Sequence, residues 1–248
     1  MDDSKWLTAA FLMSCDGEKG WPDFSEYIQI EDEAAKCLVD SYSRGGTAYS
    51  PMAVLSLNGL THLTTQSAKI LGDVFAILHL NGLKHISEEV AAALSNHSYP
   101  YSGYGGGGLY LNGLKSLSDK AAKNLGAHYG PLGLNGLTDL SELAAEGLSE
   151  VIDGHLYLNG LPHISDAVAV KLSNHGNGNL ELNGLTSITD FAAEALNLHY
   201  GTLELNGLIN LSDAAAESLG KSRFPPKLDG LTSLSAAAAK SLGREPIG

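Results

Sequence analysis

At 248 residues the chain has room for one or two globular domains, and its 28 acidic against 15 basic residues give a formal charge of −13. That balance argues against nucleic acid and anionic membrane surfaces as partners, because both carry the same sign of charge. No segment has the apolar length needed to cross a bilayer, and the start Met1-Asp2-Asp3-Ser4-Lys5-Trp6 lacks the basic region of a signal peptide, so a cytoplasmic location without membrane insertion is expected.

In chain order, Trp6, Leu7, Phe11, Leu12, Trp21 and Phe24 first supply apolar bulk. The segment Ile30 to Leu38 then matches the helical half of a unit that recurs through the rest of the chain, without the strand half. Residues 1–38 are therefore expected to form a helical N-terminal cap that includes a half repeat and covers the first layer of a stack. Cys15 and Cys37 fit either a cap disulfide or two reduced thiols.

Residues 39–248 read as eight repeats with a short C-terminal cap. The fullest copy is Leu-x-Leu-Asn-Gly-Leu-x-x-Leu-Ser-Asp-x-Ala-Ala-x-x-Leu. Its asparagines are Asn58, Asn81, Asn112, Asn135, Asn159, Asn183 and Asn206, with Asp229 in the eighth copy, at separations of 23, 31, 23, 24, 24, 23 and 23 residues. A fixed period of this size means stacked units that bury their apolar faces against one another.

The first half of each unit alternates, as in Leu156-Tyr157-Leu158-Asn159, and predicts a short strand with leucines inward and the intervening side chain outward. A glycine follows each time, from Gly59 to Gly230, where the backbone must turn away from the strand. Ser-Asp or its equivalent then opens a short helix: the hydroxyl is an N-cap, and the acids Asp119, Asp166, Asp190 and Asp213 lie at the positive end of the dipole. Pro226 takes the place of a leucine in the eighth strand, which suits the edge where the array stops.

Strand, turn, helix and return make one coil of a leucine-rich-repeat solenoid, expected to be right-handed, with parallel strands on the concave face and short helices on the convex face. The run from Leu180 to Asp190 resembles the cysteine-containing leucine-rich repeats of F-box proteins, with Leu185 where that subclass has its cysteine. The wording LNGLTxLSDxAAxxL also resembles large bacterial, planctomycete-like repeat families. The resemblance covers roughly residues 28–243 and implies a binding module, without shared catalytic residues or a shared ligand. No F-box-like segment accompanies the repeats.

Two places break the period. Leu38 to Leu55 takes 17 residues and Leu94 to Leu109 takes 15, where ordinary units take seven or eight. Both insertions, 41–51 and 98–108, fall at the helix-to-strand return, and together they hold five of the ten tyrosines, Tyr99, Tyr101 and Tyr104 among them. Tyrosine, serine and glycine make a recognition composition, although a plain surface insertion has the same appearance. The outward strand positions run Ser56, His79, Tyr110, Gly133, Tyr157, Glu181, Glu204 and Lys227, with His155 two residues ahead of Tyr157. Their variation over a constant core is what a fixed scaffold with a specific face gives. The candidate ligand-binding residues are His79, Tyr99, Tyr101, Tyr104, Tyr110, His155, Tyr157, Glu181 and Glu204.

The asparagine column reads as a structural ladder in which each side chain satisfies turn backbone groups of the next layer. His97, His128, His175 and His199 share the position after the helix, where the dipole favours a cation, and His62, His85 and His163 share the turn. Ligands spread over successive layers form an open row, so no metal site and no cofactor are expected. Gly105 to Gly108 lacks the Lys-Ser/Thr of a phosphate loop. Glu181 and Glu204 are close enough for one pKa to rise, but they lie on a shallow face with no catalytic partner. The expectation is a non-enzymatic binding module for a protein or peptide. A carbohydrate or cell-wall glycan is the alternative, and a purely structural repeat is a third possibility.

Overall fold

The computed structural model describes residues 5–15, 23–44, 53–97, 107–176 and 178–245. Tyr99, Tyr101 and Tyr104 lie outside them. The chain alternates strand and helix. A cap of β1 (Trp6–Leu7), α1 (Ala9–Ser14), β2 (Gln29–Ile30) and α2 (Asp32–Arg44) comes first. Full coils follow: β3 (Val54–Ser56) and α3 (Thr65–Leu71), β4 (Ile77–His79) and α4 (Glu88–Ser95), β5 (Leu109–Tyr110) and α5 (Asp119–Leu125), β6 (Leu132–Gly133) and α6 (Glu142–Leu148). The series ends with β7 (Leu156–Tyr157) and α7 (Asp166–Ser173), β8 (Leu180–Glu181) and α8 (Asp190–Leu196), β9 (Leu203–Glu204) and α9 (Asp213–Gly220), then α10 (Ala236–Ser241). None of the described helices is long and apolar enough to cross a membrane.

Strands β3 to β9 form one seven-stranded parallel sheet in sequence order, and a single bridge from Glu204 to Lys227 is all that remains of an eighth strand. Pro226 beside that bridge has no N–H to offer a ladder. This is a leucine-rich-repeat solenoid, strands on one face and helices on the other. The coils bury their inward leucines, completely so at Leu132, Leu134 and Leu137. One such side chain contributes about 1.5–3 kcal/mol of transfer free energy.

Two hydrogen-bond ladders tie the coils together. On the strand side, Asn58 Oδ1 accepts from the backbone N–H of Asn81, and the same contact repeats through Asn112, Asn135, Asn159, Asn183 and Asn206 to Asp229, at 2.8–3.0 Å throughout. On the helix side, every coil from α3 to α10 has a Ser or Thr N-cap whose hydroxyl accepts from the N–H three residues on. Where the following residue is Asp, its carboxylate also accepts from the next coil's cap hydroxyl: Asp119 from Ser141, Asp166 from Thr189, Asp190 from Ser212 and Asp213 from Ser235. These acids serve the neighbouring coil as well as the dipole.

The repeat glycines are set by proximity. A Cβ at Gly113, Gly136 or Gly184 would stand 2.0–2.2 Å from the preceding coil's asparagine carbonyl oxygen. Among the described residues, positive φ at glycine occurs instead at Gly130 and Gly243. The turn itself is accessible to any residue; the spacing between coils is not.

At the cap, the structure contains more repeat than the sequence suggests. Ahead of Ile30 lies a second helical half-coil: β1 pairs with β2 in parallel, Thr8 caps α1 by accepting from Phe11, and Leu7 and Leu12 are buried. Thr61 N–H continues this edge by donating to Ile28 O at 3.0 Å. Cys15 and Cys37 are both free thiols.

Candidate functional site

The outward strand residues stand in strict register: Ser56 beside His79, then Tyr110, Gly133, Tyr157, Glu181, Glu204 and Lys227. Neighbouring strands are about 4.8 Å apart, so their side chains form a continuous row. His79 and Tyr110 have ring centroids 4.7 Å apart, Tyr110 and Tyr157 are 5.9 Å apart, and His155 lies 6.0 Å from Tyr157. Four half-buried rings thus make one strip across β4 to β7.

Gly133 makes that strip possible, and nothing in its own chemistry announces it. A Cβ there would meet Tyr110 Cδ1 at 2.4 Å, and a Cβ at Gly108 would meet Tyr110 Cε2 at 2.9 Å. The Tyr110 ring lies across the space these two residues leave and so reaches the next ring, two strands away. A glycine at an outward strand position beside an aromatic one is the signal that could have found it.

Beyond Tyr157 the row turns polar. Glu181 accepts from Asn159 Nδ2 at 2.9 Å, and Glu204 accepts from Asn183 Nδ2 at 3.3 Å and pairs with Lys227 at 2.5 Å. The bond from Lys227 holds the Glu204 carboxyl below its usual range, so the adjacency of the two glutamates does not raise it. Lys227 is raised in return, through Glu204. Burial pushes the Tyr157 hydroxyl up, with Tyr110, Glu181 and Glu204 adding to the effect, and burial lowers His79. At neutral pH the row therefore offers the uncharged rings of His79 and Tyr157 and, further on, the ionised Glu204.

In the insertion at 41–51, α2 continues to Arg44, and the Tyr42 hydroxyl donates to Val54 O at 3.0 Å, which ties this ring to the first strand. An open groove of about 650 Å³ lies at the strand-to-helix turns, lined by His62, Lys84, His85 and their neighbours. None of the strand-face residues lines it.

The histidine column that follows the helices differs from its expected dipole role. His97, His128, His175 and His199 are buried and stack in pairs, 97 with 128 at 6.0 Å and 175 with 199 at 5.9 Å. Nε2 of His175 and His199 bonds the carbonyl of Gly154 and Gly178 at 3.0 and 3.1 Å, while their Nδ1 atoms and both ring nitrogens of His97 and His128 have no partner among the described residues. Burial lowers His97 and His128 to about 4, with His97 adding to the effect on His128. It lowers His175 and His199 as well. All four are neutral packing elements, because the cost of burying a charge exceeds what a helix C-terminus returns.

No family model matches the chain, and no curated protein matches it. Among solved structures it is similar to a leucine-rich-repeat protein of Leptospira interrogans, at 17% identity and a TM-score of 0.43, over 87% of this chain and 56% of that one. The chain thus spans little more than half of that protein's length. The assignment as a leucine-rich-repeat solenoid rests on its own coils, sheet and ladders.

Proposed function

We propose that this solenoid is a non-enzymatic binding module whose strand face recognises a protein or peptide. The observation that carries this reading is the ring strip His79–Tyr110–Tyr157, which runs in register into Glu181 and Glu204. Half-buried tyrosines give contact area at low entropy cost, and carboxylates beyond them suit a segment with apolar residues followed by a basic one. Residues 1–38 act as the cap, and 39–248 supply eight repeats and the closing cap. The insertions at 41–51 and 98–108 are part of this proposal through their composition, since Tyr99, Tyr101 and Tyr104 lie outside the described residues. Lys227 holds the Glu204 carboxyl ionised, so that residue serves as charge, and Asn159 orients Glu181 beside it.

The test is affinity capture from source lysate with the wild type and a Tyr110→Ala/Tyr157→Ala variant, both folded by circular dichroism. A partner kept by the wild type and lost by the variant, with retention weakened by salt, is the expected result. Release by simple sugars in place of salt points to a glycan ligand. Equal recovery by both proteins contradicts the strand-face site.

A further inference from the structure

The helix-to-strand return near the C-terminal end brings cations and exposed rings together. The segment from Lys221 to Lys227 gathers three cations within seven residues of a chain whose formal charge is −13. Two are committed: Lys221 pairs with Glu217 at 2.7 Å and Lys227 with Glu204 at 2.5 Å. Arg223 has no ion pair or hydrogen bond among the described residues. Its guanidinium lies 5.3 Å from the Tyr200 ring centroid and 5.6 Å from that of Phe224, and the two rings meet edge to face at 5.1 Å.

The setting is rigid. Ser222 Oγ donates to Phe224 O at 2.9 Å and accepts from Phe224 N–H at 3.3 Å, closing the turn that carries both residues, and Pro225-Pro226 follows at once. On the neighbouring return, Tyr200 stands between His199, bonded to Gly178 O, and Gly201, where a Cβ would be 2.2 Å from that same carbonyl oxygen. Leu198, 73% exposed, lies on the same return as Tyr200, and Tyr200 and Phe224, the rings beside the cation, are 49% and 36% exposed. An arginine held on aromatic faces keeps its N–H edge free and pre-oriented for a planar two-oxygen acceptor.

We infer that Arg223, Tyr200, Phe224 and Leu198 form a docking site for an acidic peptide segment, one carboxylate taken by the Arg223 guanidinium and an adjoining aliphatic or aromatic residue set against the rings. Charge complementarity selects this occupant: Arg223 is the uncommitted member of the basic cluster, and its neighbours are apolar. The site shares no residue with the strand face, so each stands or falls alone.

Isothermal titration at low salt with the peptide acetyl-Gly-Gly-Asp-Leu-Phe-Gly-Gly-amide tests the site directly. The expected result is binding about ten-fold tighter than that of the analogue with Asn in place of Asp. Arg223→Gln abolishes that preference, Phe224→Ala weakens both peptides, and Tyr110→Ala/Tyr157→Ala leaves the preference intact. Equal affinity for the two peptides, an unchanged preference in Arg223→Gln, or no binding at millimolar peptide overturns the proposal. So does retention of the protein on phosphatidylserine vesicles in place of the peptide.

Discussion

A Cβ added at Gly136 would stand 2.2 Å from the carbonyl oxygen of Asn112 and 2.4 Å from that of Leu114, both backbone atoms that cannot swing aside. Gly136→Ala should therefore cost about 3 kcal/mol or more in urea denaturation. Gly176→Ala, with nothing within 4 Å, is the matched control and should leave the midpoint unchanged. Gly133→Ala is a third case: its Cβ meets the Tyr110 ring, which can rotate, so binding should suffer more than stability. Asn135 accepts from Asn159 N–H at 2.9 Å. Replacing it with Ala leaves that N–H unpaired and should cost about 1–3 kcal/mol, whereas Asp keeps the acceptor and should cost less. The buried histidines add a pH dependence. Burial pushes His97 and His128 down to about 4 in the folded chain from the ordinary 6.5, so the unfolded chain binds more protons between those values. Stability is then full above pH 6.5 and falls as pH drops towards 4, by about 1.4 kcal/mol per pH unit for each imidazole. A melting series from pH 7 to pH 4 checks this, and His97→Leu/His128→Leu should flatten the slope.

At the scale of the element, helix caps and interlayer bonds are the same atoms. The Ser212 hydroxyl accepts from Ala215 N–H at 3.0 Å while donating to Asp190 of the previous coil. Ser212→Ala should cost about 1 kcal/mol, and a double-mutant cycle with Asp190→Ala should show coupling of about 0.5 kcal/mol, measured by chemical denaturation. Zero coupling would mean that the acid acts through the dipole alone. Elements of this kind are legible in a sequence because local chemistry sets them: Leu-x-Leu marks a strand, and Ser-Asp before paired alanines marks a helix start. What escapes is set by the neighbouring layer. The repeat glycine suggests a turn, yet the carbonyl of the coil beneath requires it. His128 suggests a dipole partner, yet its burial keeps it neutral. Thr8 and Leu7 lack a strand motif beside them, so the first half-coil reads as bulk alone. Of the candidate site, the outward row could be written down from the period, since register follows from equal coils. The ring contacts could not, because they depend on Gly133 leaving room for Tyr110.

At the scale of the whole molecule, the sheet pairs each strand only with its sequence neighbours, so stability is a sum of coils and interfaces. Removing residues 183–205, one 23-residue period, joins Leu182 to Asn206 and places Glu181 beside Lys227. The shortened chain should keep its circular dichroism per residue and lose stability by one coil and one interface. A constant scaffold thus carries a face that differs from coil to coil. That division is tested most directly by hydrogen exchange of the solenoid with and without its captured partner. The expected result is added protection in β4, β5, β7 and β8, around His79, Tyr110, Tyr157 and Glu181, with α3 to α9 unchanged. Protection confined to the helices, or absent from those strands, would contradict it.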